Sequence, residues 1–104
     1  MKNLSQEEWA RAIEEDPDAV IVDVRTEDEW NDGIIPGAIM LDIYKPASFI
    51  DGISGLDKSK NYYIYCKAGA RSLQACHIME DAGIKHTNNL TGGIMQWQGK
   101  REFP

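Results

Sequence analysis

Residues 62–72, Tyr-Tyr-Ile-Tyr-Cys-Lys-Ala-Gly-Ala-Arg-Ser, constrain what this chain can fold into more than any other stretch. A β-prone run, Tyr62 to Tyr65, stops abruptly at Cys66. Small residues including Gly69 follow, then Arg71 and a segment with helical spacing. This is the pattern of a buried strand entering a tight loop that opens a helix. The first amides of such a helix have no intrahelical partner and converge on one spot. The helix dipole and the charges of Lys67 and Arg71 add positive potential there. A cysteine in that setting is expected to be a thiolate, because the same donors stabilise its anion. Cys66 is therefore the candidate nucleophile.

Bulk properties narrow the partners. A length of 104 residues suits one domain, residues 1–104, with a single core. The net charge of -6 leaves no basic surplus to displace counterions, which argues against a nucleic-acid partner. The acidity gathers in residues 7–32, whereas the Cys66 loop carries local positive charge, so anionic ligands stay open. No apolar run approaches membrane-spanning length and the N-terminus lacks a signal-peptide core, so no membrane partner and a cytoplasmic, reducing location are expected. Two cysteines are too few for a disulfide scaffold. With His77 and His86 as the only histidines, no metal-ligand cluster is readable.

The rest of the chain alternates strand and helix. Residues 2–4 suit a short edge strand. Ser5 with Glu8 makes a capping box for a helix over Gln6 to Glu15, with Trp9, Ala12 and Ile13 at helical spacing. Ala19 to Val24 is nearly all apolar, as in a strand buried on both faces of a parallel sheet, and Asp23 within it needs a partner at the strand's carboxyl end, where Arg25 is two residues away. Thr26 with Glu29 caps a short helix carrying Trp30. Pro36-Gly37 punctuates a turn before a strand at Ala38 to Leu41, and residues 46–55, with Gly52 and Gly55 among them, allow at most two helical turns. After the Cys66 loop, Ala75, Cys76, Met79 and Ala82 share a helical face that ends at Gly83. His86 to Leu90 is a weaker strand, and Thr91-Gly92-Gly93 leads into a last short helix bearing Trp97. Such alternation predicts an open three-layer α/β sheet. Ligands of these sheets bind beyond the carboxyl ends of the strands, where strand order reverses. Cys66 and Asp23-Val24-Arg25 fall on one such rim.

Three motifs in order resemble those of a single-domain rhodanese. Val22-Asp23-Val24-Arg25 with Glu29 and Gly33-Ile34-Ile35-Pro36-Gly37-Ala38 is similar to the family's D-V-R and G-H-I-P-G-A signature. Tyr65 to Ser72 resembles the C-x-x-G-x-R-S active-site loop, and Leu90-Thr91-Gly92-Gly93 with Trp97 resembles the closing L-x-G-G-x-x-x-W. The resemblance implies a five-stranded, mostly parallel sheet in the order 3-2-4-5-1 with helices on both faces. It also implies that the Cys66 thiolate takes a sulfane sulfur from an anionic donor such as thiosulfate, and yields it to cyanide or a thiol. It implies no cofactor. One departure stands out: the family histidine is Ile34 here, so any polar contact made by that histidine is lost.

The loop residues fit this chemistry. Backbone amides from Lys67 to Ser72 would hold the anionic sulfur. Gly69 permits the backbone angles that turn them inward, while Ala68 and Ala70 keep the pocket open. Arg71 is expected either to fork onto a donor's oxygens or to brace the loop by pairing with Asp23. Lys67 would attract the donor. Asp23 is read as a structural acid, and Arg25 either supports the site or neutralises residues 27–29. Cys76 and the three tryptophans read as packing residues. Among alternatives, cysteine phosphatases and arsenate reductases also set a cysteine and an arginine around an anion. Here, however, only Lys67 to Ala70 intervene between the two, and Tyr65 stands where those enzymes commonly have histidine. A scaffold role conflicts with the presence of Cys66. A persulfide carrier delivering sulfur to a protein acceptor remains the second reading.

Overall fold

Along Asn61–Tyr65 the large side chains alternate between two apolar clusters, so this strand has no solvent face. A computed structural model describes all 104 residues. In chain order the elements are β1 (Lys2–Leu4), α1 (Gln6–Glu15), β2 (Val20–Asp23), α2 (Glu27–Trp30), β3 (Ile39–Met40), α3 (Pro46–Ser54), β4 (Asn61–Tyr65), α4 (Ala70–Asp81) and β5 (His86–Leu90), with a 3₁₀ turn at Ile94–Gln96. The sheet order is β3-β2-β4-β5-β1, and every pairing is parallel. This is the 3-2-4-5-1 order implied by the resemblance.

Period-two alternation divides the core. Tyr62 and Ile64 of β4 pack with Val22, Phe49, Ile53 and Met79 on the α3–α4 side. Tyr63 and Tyr65 face the other way, onto Trp9 of α1, Ile35 and Leu90. Trp9 is fully buried and meets Tyr63, Tyr65 and Trp97 edge-on, with ring centroids 6.1, 6.1 and 5.5 Å away. Its indole N–H donates to the Asn88 carbonyl, which satisfies the one polar atom that burial would otherwise strand. The capping box forms as expected: Ser5 Oγ accepts the Glu8 N–H, and the Glu8 carboxylate accepts the Ser5 N–H.

Several expectations need adjustment. The strand at Ala38–Leu41 shortens to Ile39–Met40, although the Leu41 N–H still donates to the Asp23 carbonyl. Residues 46–54 form nine residues of helix, longer than two turns. Pro46 suits its first turn, and Gly52 is present for close packing on Leu41, where a Cβ would clash, and does not stop the helix. Ala82 is exposed and lies beyond the buried face of Ala75, Cys76 and Met79. Trp97 follows the 3₁₀ turn and is not part of a helix. No helix is long and apolar enough to cross a membrane.

Because Trp9 links α1 to two β4 tyrosines and to the C-terminal turn, Trp9→Ala is expected to lower unfolding free energy by about 3–5 kcal/mol in urea titration. A loss below about 1 kcal/mol would contradict this account of the core.

Candidate active site

The alternation of β4 continues one residue past its end. Tyr62 and Ile64 point to the α3–α4 side, and Cys66 follows them into the same cluster with Val24 and Ala75. The residue is 1% exposed. Its loop lies at the boundary between β2 and β4, neighbours from which the chain departs toward opposite edges of the sheet. That is the switch point at which open α/β sheets place their ligands.

The sulfur is surrounded by donors. Gly69, the residue before α4, adopts a left-handed φ of 111° that a side chain would resist, and its N–H points at Cys66 Sγ from 3.1 Å. The Ser72 hydroxyl lies 3.3 Å from the same sulfur. Burial pushes the thiol up, but the Ser72 hydroxyl and the N–H groups of Ser72, Gly69 and Ala68 outweigh it, leaving the pKa below that of an ordinary cysteine. Cys76 is the contrast. Burial pushes it up to about 12, with the Thr87 hydroxyl and its own N–H offsetting only part of that, as suits a packing thiol.

What aims these amides is a clamp on the outer side of the loop. The Ile94 N–H donates to the Cys66 carbonyl at 2.9 Å and the Met95 N–H to the Lys67 carbonyl at 3.0 Å. With these carbonyls held away from the sulfur, the following peptides present N–H inward. Gly93 makes the approach feasible. Its φ is 64°, and a Cβ there would overlap the Lys67 carbonyl and the Ala68 nitrogen.

Arg71 pairs differently from either of its sequence expectations, whereas Asp23 takes Arg25 as its partner, as expected. Arg71 does not reach Asp23. Its two terminal nitrogens grip Glu29 at 2.7 and 2.8 Å, tying α4 to α2. This fork, helped by the Thr26 N–H, holds the Glu29 carboxyl at about 2 against the opposing effect of partial burial. Asp23 is the register partner of Tyr65 and so faces away from Cys66. It is fully buried and bound by Arg25, Nη2 to Oδ2 at 2.8 Å and Nε to Oδ1 at 3.0 Å. Arg25 is therefore not the counter-charge of residues 27–29. Burial acts against its guanidinium, but the hydrogen bonds and charge of Asp23 prevail and raise its pKa. It also donates to the Gly33 carbonyl and lies 5.6 Å from the Tyr65 ring. The pair braces the turn after β2.

Lys67, Ala68 and Ala70 are exposed on the loop surface. Lys67 enters no ion pair and lines a concavity of about 190 Å³ with Arg25, Glu29, Met95 and Arg101. Cys66 itself lines none of the surface concavities. Ile34, in the place of the family histidine, is 5% exposed and exchanges backbone hydrogen bonds with Glu102 at 2.8 and 2.9 Å. The position is thus closed over by the C-terminal segment. Sequence reasoning missed the Glu29 partnership, the Ile94–Met95 clamp and the buried Asn89, which receives the Ser72 hydroxyl. The polar Asn88-Asn89 pair inside a strand pattern was the available signal for the last.

The fold and site together define a doubly wound α/β domain with a buried cysteine of lowered pKa at its switch point. The chain belongs to the rhodanese-like domain family, whose model matches residues 5–100. It is 32% identical over 100 residues to a Bacillus subtilis protein provisionally named sulfurtransferase YtwF, covering 96% of this chain and 93% of that one. It is 34% identical over 98 residues to a sulfurtransferase of Allochromatium vinosum, covering 93% and 88%. A rhodanese-like domain protein from Staphylococcus aureus superposes with a TM-score of 0.86 at 30% identity, over 100% of this chain and 99% of that one.

Two expectations follow. Gly93→Ala should displace the Lys67 peptide and slow alkylation of Cys66 by iodoacetamide at neutral pH at least about tenfold, while the fold persists by circular dichroism. An unchanged rate would show that the clamp does not shape the loop. For Glu29, the folded value near 2 lies below the ordinary 4.5, so its pairing stabilises fully above pH 4.5 and is lost as pH falls toward 2. Denaturant unfolding should therefore show Glu29→Gln less stable than wild type at neutral pH, with the gap closing toward pH 2.

Proposed function

We propose that this protein transfers a sulfane sulfur from an anionic donor such as thiosulfate to a thiophilic acceptor, through a persulfide on Cys66. The observation that carries this reading is the sulfur held at the end of β4 by the Gly69 N–H and the Ser72 hydroxyl, beside a loop whose Ala68 and Ala70 present nothing larger than methyls. The relatives' names, sulfurtransferases among them, support the same chemistry.

In the first half-reaction the Cys66 thiolate attacks the outer sulfur of thiosulfate. A new S–S bond forms, the old one breaks, and sulfite leaves with its electron pair. The product is a Cys66 persulfide carrying the negative charge, and the inward amides of Ala68, Gly69 and Ser72 are the donors available to it. In the second, cyanide or a thiolate attacks the outer sulfur and Cys66 departs as a thiolate, so neither a cofactor nor a general base is needed. Arg71 is committed to Glu29 and serves as a brace. Lys67 is the unpaired cation of the loop itself and the residue suited to attracting the donor. Asp23 and Arg25 act through the fold of the neighbouring turn.

A second reading, a persulfide carrier with a protein acceptor, draws on one feature. Tyr44, 66% exposed and 5.5 Å from the Arg71 guanidinium, and Ile50, 52% exposed, border an apolar groove formed with Pro46, Phe49 and Ile78. Such a surface beside the loop suits a protein better than a small thiol. We place both readings on the same Cys66 persulfide.

Incubation with thiosulfate is expected to add one sulfur atom to the intact mass, and Cys66→Ser is expected to gain none. Cyanide should then discharge the sulfur as thiocyanate, with Cys66→Ser losing the thiosulfate:cyanide activity entirely. Absence of a mass gain with thiosulfate or any other sulfane donor would overturn the assignment. Transfer to small thiols as fast as to any protein would remove the case for a carrier.

A further inference from the structure

A continuous line of side-chain hydrogen bonds runs from the edge of the sheet to the reactive sulfur. Asn3, exposed on β1, accepts through Oδ1 from Asn89 Nδ2 at 3.0 Å. Asn89, 4% exposed on β5, accepts through Oδ1 from the Ser72 hydroxyl, and Ser72 lies 3.3 Å from Cys66 Sγ. Ser72 Oγ also lies 3.1 Å from the Gly69 carbonyl. A hydroxyl has one proton. It cannot serve Asn89, Gly69 and the sulfur together.

The state of the sulfur decides which direction the line can run. A neutral Cys66 can donate its S–H to Ser72, whose hydroxyl can then donate to Asn89 Oδ1, an orientation the heavy-atom distances allow. A thiolate has no proton and must receive one from Ser72. Ser72 then turns its lone pairs on Asn89, and an amide oxygen facing them is repelled. An asparagine can resolve the conflict because its carboxamide has an acceptor at one end and a donor at the other. Turning it over places Nδ2 against Ser72 Oγ and gives up the 3.3 Å bond from Nδ2 to the Gly69 carbonyl, which the Leu73 N–H still serves, and the line then reads Asn89 to Ser72 to sulfur. Asn3 can follow, since its own exposed carboxamide can offer a donor to the Asn89 oxygen.

We propose that Asn89 is a positioning residue that sets, through Ser72, which way the single hydroxyl proton points and so whether the Cys66 sulfur is held as an anion. The inference rests on Cys66 being the reactive group of the proposed function. The other groups around the sulfur do not provide this control. Lys67 and Arg71 on the loop and α4 are fixed cations, Arg71 locked to Glu29 of α2. Asp23 and Arg25 after β2 neutralise each other. The buried part of β5 between His86 and Leu90 presents only the neutral Thr87, Asn88 and Asn89.

An acceptor-only side chain at position 89 provides the test. Asn89→Asp keeps the shape but cannot donate, so it should hold the Ser72 proton away from the sulfur. The thiolate is read by its ultraviolet absorbance against pH, as the difference between each variant and its Cys66→Ser counterpart. Cys76, held near 12, stays silent through the range. Asn89→Asp is expected to raise the Cys66 midpoint by about one pH unit, roughly tenfold less thiolate at a given pH below it. In a Ser72→Ala background the same substitution should shift it by less than about half as much, because the route through the hydroxyl is gone. An equal shift in both backgrounds would mean that the added charge acts through space, and no shift would mean that Asn89 does not control the sulfur. Either result overturns the proposal. If Asn89→Asp does not fold, the exposed Asn3→Asp replaces it. An acceptor at position 3 should retain Asn89 Nδ2 and raise the midpoint in the same Ser72-dependent way, and failure to do so overturns the proposal. The measurement needs no sulfur donor, so its failure leaves the mass-gain test of sulfur transfer standing, and the reverse also holds.

Discussion

The site depends on the orientation of a few peptide planes. An anionic sulfur at the mouth of an α/β sheet is tolerable only if N–H groups face it, and peptides between a strand and a helix have no intrinsic reason to do so. The Ile94 and Met95 N–H groups supply that reason by drawing the carbonyls of Cys66 and Lys67 outward. Hydrogen bonds from backbone and from Ser72 then overcome the penalty of burying the sulfur, and cationic side chains play no comparable part. Cys66 and Cys76 share one apolar cluster, yet their pKa values move in opposite directions. Local donors, not depth, set the two thiols apart.

The ion pairs belong to the support of this arrangement. Arg71–Glu29 ties the start of α4 to α2, and Arg25–Asp23 closes the turn after β2 against Tyr65. Two strand ends that carry the rim are thereby fixed by charges that cancel within each pair, which leaves Lys67 as the unpaired cation of the active loop. Removing one member of the fully buried pair would strand its partner, so Asp23 and Arg25 are held together by the cost of separating them.

Much of this was legible in the amino-acid sequence, because the strongest signals were local. The Ser5–Glu8 capping box, the apolar run into Asp23 and the strand-loop-helix pattern around Cys66 each report on a few neighbouring residues, and each appears where the pattern puts it. Sheet order came with the family motifs, not with the periodicity. Long-range pairings were not legible. Arg71 had several acids within reach in principle, and nothing in its neighbourhood singles out Glu29 forty-two positions earlier. Gly52 looked like punctuation because its contact, Leu41, lies on another element. Ala82 fitted the helical period but lies past the last turn that the sheet covers. The Ile94–Met95 clamp uses backbone atoms alone and leaves only Gly93 as its trace.

That clamp imposes an order on how the molecule can be completed. All five strands are already present by Leu90, so strand pairing needs nothing beyond that point, although Ile94 and Trp97 complete the packing around Trp9. The peptides that surround the sulfur, in contrast, wait for residues 93–95 to arrive and seat against them. During synthesis from the N-terminus, every strand is made before the residues that shape the loop, so the Cys66 sulfur acquires its final surroundings later than the sheet acquires its strands.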